Sequence, residues 1–170
     1  MTNTVLYIMF VLAFIIHDSE EIALVHKWLQ AHGETLHKNH PRFGRMLNHL
    51  QRLNTKAFAI AVLEELILLI AVTVYAIYGG KYAIELWSAV FMAFSIHLII
   101  HIGQAVITRG YVPGLATSIL LLPFSYLGMH SICNIFSIAH LCLLAATGIL
   151  VIGTNLAFAH WMGVKLFGHE

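Results

Sequence analysis

Charge is what this sequence has least of. Asp, Glu, Lys and Arg make up 10% of its 170 residues, against about 25% in a typical soluble domain, while 59% are hydrophobic. A chain about one domain long has too small an interior to hide that much apolar side chain, which excludes an ordinary soluble fold. The net charge of +1 lacks the basic excess of a nucleic-acid partner, so none is expected. Only two cysteines occur, Cys133 and Cys142. Set in apolar sequence, they read as small buried hydrophobes rather than a disulfide or a metal pair. The first apolar run has neither a basic start nor a small-residue cleavage site, so it is expected to remain as a helix rather than leave as a signal peptide. No internal repeat and no low-complexity tract is evident.

What is present is a series of long apolar runs. A spanning helix needs roughly 20 such residues, and five stretches qualify, at about 4–28, 56–78, 82–108, 114–131 and 134–161. The expected fold class is therefore all-α, a polytopic membrane helix bundle of about five transmembrane helices in a single domain. Pro123 is expected to kink the fourth helix. Gly148 and Gly153 are expected to bend the last one or to admit a close neighbour. The connection at 29–55 is polar and basic. Over 41–54 it suits an amphipathic helix at the cytoplasmic interface, with Pro41 in its first turn and Phe43, Met46, Leu47 and Leu50 on one side. A solvated loop fits that stretch equally well. Lysine and arginine set the orientation. One side receives Lys27, Lys38, Arg42, Arg45, Arg52, Lys56, Arg109 and Lys165, the other only Lys81. The loop and the C-terminus are thus expected in the cytoplasm and the N-terminus outside, in a cell inner membrane.

Against this background the first run contains an anomaly. "FVLAFIIHDSEEIALVHKW" places His17, Asp18, Glu20 and Glu21 inside apolar sequence. At about 100° per residue, His17, Glu20 and Glu21 share one helix face, with Asp18 at its edge. The second run carries Glu64 and Glu65. The third carries "HLIIHIGQ", in which His97, His101 and Gln104 fall on one face. Counted from the cytoplasmic ends at Trp28, Lys56 and Thr108, the His and Glu residues lie seven to eleven positions deep, roughly 10–17 Å at about 1.5 Å per residue. Asn155 in the last helix reaches a similar level. Each ionisable group alone in lipid would cost roughly 2.5–3.5 kcal/mol, so these groups must face one another. No lysine or arginine lies at their depth, which leaves protons, protonated histidines or a metal ion to offset the carboxylates. Glu and His on neighbouring helices suit zinc, iron or manganese.

"HDSEE", His17 to Glu21, is the pattern that names the HXXEE family of small prokaryotic membrane proteins, and the chain resembles that family. "HLIIHIGQ" and "RGYVPG" look like its other polar landmarks. The resemblance implies that His17, Glu20 and Glu21 are site members, with Asp18 at a variable position; it implies no reaction.

The residues themselves lead to an expected divalent metal site, of one ion or two, among His17, Glu20, Glu21, Glu64, His97 and His101. Glu20 or Glu65, where not a ligand, is the expected general base. Gln104 and Asn155 are expected behind the ligands. Arg109, at the rim, would hold the anionic head of a membrane lipid or other lipid-like, apolar substrate. The function expected is a metal-dependent membrane enzyme of hydrolase, isomerase or oxygen-activating type. The alternative is a proton or divalent-metal transporter using the same cluster, and the plainest reading is a structural polar layer. The topology has a direct check: single cysteines replacing Lys38 and Lys81, in a background without Cys133 and Cys142, should be labelled from opposite sides of the membrane.

Overall fold

The computed structural model describes residues 3–39, 41 and 54–167. They form five α-helices and no strand: α1 (Asn3–Asn39), α2 (Thr55–Ile77), α3 (Ala83–Thr108), α4 (Leu115–Cys133) and α5 (Ile138–Phe167). Four of them, α2, α3, α4 and α5 over Ile138–Gly163, are long and apolar enough to cross a membrane. Their outward faces carry large apolar side chains such as Ile67, Leu120, Leu143 and Leu150, all exposed, as a lipid-facing surface requires. α1 is not among the four. Its middle holds Asp18, Glu20 and Glu21, although its first half also turns Val5, Ile8, Leu12 and Ile16 outward.

The helix ends follow local chemistry. Asn54 caps α2, its side chain accepting from the Ala57 N–H at 2.8 Å. α3 ends at Arg109 in a left-handed conformation, with φ 52°. Asn134 closes α4 by donating its N–H to the His130 carbonyl, while the Ile135 N–H donates to that of Ile132, and α5 starts at Ile138 rather than 134. α1 runs on past Trp28 to Asn39, because "LQAHGETLHKN" holds no proline and is rich in residues that tolerate a helix. Pro123 lies within α4 without ending it. The helix expected over 41–54 falls, apart from its two end residues, outside the described residues. Cys133 and Cys142 are free and both exposed, on outward positions rather than the buried ones expected.

α3 is the central element, packed on α4 and α5, while α1 packs mainly on α2. α1 and α3 approach closely over only a short stretch. Toward one end the gap between them is closed by aromatic rings. Phe10, fully buried, sits edge-on to Trp87 at 5.6 Å and to Phe91 at 5.0 Å, and Tyr7 stands 4.7 Å from Trp87. Farther along, the two helices are bridged by polar side chains.

The two glycines of α5 differ in role. A Cβ on Gly148 would fall 2.0 Å from the Ala89 carbonyl oxygen, so this glycine lets α5 lie directly on α3. A Cβ on Gly153 would meet nothing within 4 Å. Gly148→Ala should therefore destabilise the bundle by about 1–3 kcal/mol, the usual effect of overpacking. Gly153→Ala should be neutral or slightly stabilising. Unfolding of both variants in mixed micelles, followed by circular dichroism, checks the contrast.

Candidate metal centre

His17 and Glu21 stand one turn apart on α1, and His97 and His101 one turn apart on α3, so each pair faces the other helix. One ligand-capable atom from each of the four residues lies within 4.8 Å of the other three, and the group could hold a metal ion. Glu21 Oε1 is 3.1 Å from His101 Nε2, and Glu21 Oε2 is 3.9 Å from His97 Nε2. The two Nε2 atoms of His97 and His101 are 3.0 Å apart. Ligands bound at about 2.1 Å to one ion lie roughly 3–4 Å from each other, so only small side-chain shifts separate this arrangement from a coordination shell. His17, Glu21 and His101 are buried, and His97 is the partly open member.

Hydrogen bonding supports the fit. His17 Nδ1 lies 2.9 Å from Thr117 Oγ1. That hydroxyl donates to Glu20 Oε2 at 2.6 Å, so its remaining role toward His17 is to accept. Nδ1 therefore carries the proton, and Nε2 is left with a bare lone pair. Nε2 is buried and has no hydrogen-bond partner. A histidine whose rear nitrogen is fixed by a hydrogen bond is how metal sites set ring tautomer and orientation.

Glu20 itself does not join the ligands, contrary to expectation. Turned about 60° from His17 around α1, it reaches the first turn of α4 instead. Oε1 accepts from the Tyr111 hydroxyl, from Gly114 N–H at 3.1 Å and from Ala116 N–H at 3.3 Å. Oε2 accepts from Thr117 N–H at 2.8 Å as well as from its hydroxyl. These are the groups that a local N-cap side chain would satisfy. Gly114 has none to offer, and it is glycine for two reasons. Its φ is +84°, and a Cβ would come within 2.8 Å of the His101 ring. Glu20 supplies the missing cap from another helix, where the positive end of the α4 dipole also favours its charge. The loop is held further by Trp28, whose indole N–H donates to the Tyr111 carbonyl at 2.7 Å. Loss of solvent around the Tyr111 oxygen and the adjacent Glu20 carboxylate push its phenol up to about 12, so it remains a donor at physiological pH.

The family comparison fits this geometry. The model of a family described as proteins of unknown function with an HXXEE motif matches residues 8–128. The chain belongs to this family. The matched stretch holds all four residues of the HXXEE cluster together with Glu20, the 110–114 loop and Thr117. No curated protein and no solved structure matches the chain. In the HXXEE motif the histidine and the second glutamate belong to the cluster, whereas the first glutamate caps α4.

The other expected site residues are distributed around the cluster. Glu64 accepts from Asn155 Nδ2 at 2.8 Å, tying α2 to α5 away from the four. Glu65 and Asp18 line the same cavity as Glu21, His97 and His101. Glu65 Oε1 and Asp18 Oδ2 are buried without hydrogen-bond partners. Gln104 is exposed and lines that cavity too. Arg109 is exposed and is not among the cavity's residues. Sequence reasoning missed Thr117, Tyr111 and Gly114 as supports of the site. The "RGYVPG" segment signalled a turn, and only its second glycine hinted at a close approach.

Thr117→Val should leave the helices in place but release the His17 ring, lowering divalent-metal affinity about 10–100-fold. Thr117→Ser should recover most of it. Calorimetric titration with zinc or manganese compares the two. Glu20→Ala should cost at least about 2 kcal/mol of stability, because three N–H groups lose a charged acceptor; chemical unfolding in micelles measures it.

Proposed function

We propose that this protein is a metal-dependent membrane enzyme acting on an apolar, lipid-like molecule. The carrying observation is the position of the four ligands. Of the four, Glu21, His97 and His101 stand at the wall of a cavity of about 730 Å³ whose lining is largely apolar, with His17 buried beside them. That volume lies within the roughly 300–1,000 Å³ of small-molecule sites. A site that served stability alone would not need to open on such a space.

His17, Glu21, His97 and His101 would hold the ion. Four protein ligands complete a tetrahedral shell but leave two positions on a six-coordinate ion, so iron(II) or manganese(II) suits chemistry better than a closed zinc site. A bound ion of this kind would polarise an oxygen or lower the pKa of a coordinated water. Glu20 is spent on the α4 cap and cannot act as base. Glu65, with a bare buried oxygen on the cavity wall, takes that place: it can accept a proton from a group held at the cluster. His97, the partly open ligand, marks the side from which a substrate reaches the ion.

The transporter reading draws less support. On one side of the cluster, Phe10, Trp87, Phe91 and Phe94 are buried and in ring contact. A hydrated ion passing there would meet mainly aromatic rings, with only Ser88 and Ser95 nearby on α3 to replace its water.

Protein purified without a histidine tag should contain stoichiometric metal by elemental analysis. His17→Ala, Glu21→Ala and His101→Ala should each lower it at least about 10-fold. Each should also reduce stability by about 3–5 kcal/mol, because a buried partner is left uncompensated. Absence of metal from wild-type protein, even after reconstitution with zinc, iron(II) or manganese(II), would remove the proposal's basis.

A further inference from the structure

The shape of the cavity narrows the class of molecule it takes. Its residues run along α1 from Phe10 to Leu36 and along α3 from Val90 to Thr108. At about 1.5 Å per residue these stretches measure roughly 27–39 Å. A cavity of about 730 Å³ drawn out over that length, with a mostly apolar lining, suits an extended hydrocarbon chain better than a compact polar molecule.

The cluster and the carboxylates sit in the middle of this length, with Gln104, Thr108 and His160 toward one end. On α1, Asp18 and Glu21 lie between Phe10 and Phe14 on one side and Trp28, Leu29 and Leu36 on the other. On α3, His97 and His101 lie between Val90 and Thr108, and on α2 Glu65 lies between Phe58 and Leu69. The two carboxylates, Asp18 and Glu65, present bare oxygens at this level and line the cavity. Among the described residues, no lysine or arginine lines the cavity to receive an anionic head at this level. Charge and shape together place a ligand's head beyond one end of the cavity and its chain through the middle.

We infer that the cavity binds a hydrocarbon chain threaded past the four-residue cluster, so that an in-chain carbon, not the headgroup, faces His97 and Glu21. The chain belongs to a free fatty acid or is one acyl chain of a phospholipid. Read as substrate recognition, this rests on the metal-enzyme proposal; read as chain binding, it stands on the cavity alone.

Palmitic acid carrying a diazirine at mid-chain or at its terminal carbon tests it, photolysed with the full-length protein in micelles, metal-stripped and metal-loaded. Mid-chain probes should label peptides covering residues 18–25 and 93–101. Terminal probes should label peptides near one end of the cavity, around 10–14 or 29–36. Excess unlabelled palmitate should reduce labelling at least about 10-fold if the ligand is the free acid. Dipalmitoyl phosphatidylglycerol should compete better than palmitate if the chain is that of a phospholipid. Labelling that ignores both competitors, or that falls on the same peptides wherever the diazirine sits, overturns the inference. Failure of the metal reading would look different: no bound metal, with position-dependent labelling intact in the stripped protein.

Discussion

The Glu20 carboxylate resting on the first turn of α4 is the contact from which the rest of the site follows. A helix N-terminus exposes N–H groups that need acceptors. One carboxylate answers three of those N–H groups and two hydroxyls. Its charge and the α4 dipole also favour each other. Because Glu20 provides the cap, position 114 is free to be glycine, and its missing Cβ makes room for the His101 ring. Because Glu20 also takes the Thr117 hydroxyl proton, His17 must donate to that oxygen from Nδ1.

The family motif thus divides its work by helical geometry. His17 and Glu21 are separated by one turn and look at α3, where His97 and His101 repeat the same spacing. Glu20, one residue before Glu21, is rotated by about 100° from it and looks at α4. Two adjacent glutamates serve two neighbouring helices, and the histidine between their directions is held by one and faces the other.

The cluster also explains why the bundle tolerates a gap between α1 and α3. Aromatic packing around Phe10 closes that gap toward one end. Farther along, a cavity remains, and the histidines and the Glu21 carboxylate of the cluster stand between the two helices. Buried polar groups without partners destabilise a fold. Their place beside a largely apolar cavity is the reason to read the space as a binding site and not as imperfect packing.

Hydropathy alone determined the all-helical architecture and the bounds of α2 and α3 to within a residue or so, because lipid-length apolar runs leave a chain few other options. It also placed His17, Glu21, His97 and His101 at one depth, since depth depends only on rise per residue. The end of α1 was less legible: a polar sequence without proline can continue as helix or turn, and its own composition does not choose. The split between Glu64, bound to Asn155 of α5, and Glu65, on the cavity wall, was not legible at all. Nor was the role of Glu20, whose partners stand more than 90 residues away along the chain. Periodicity reports which residues share a face of one helix. Which neighbour that face meets, and therefore whether a carboxylate joins the cluster, caps a helix or lines the cavity, was decided only when the five helices packed.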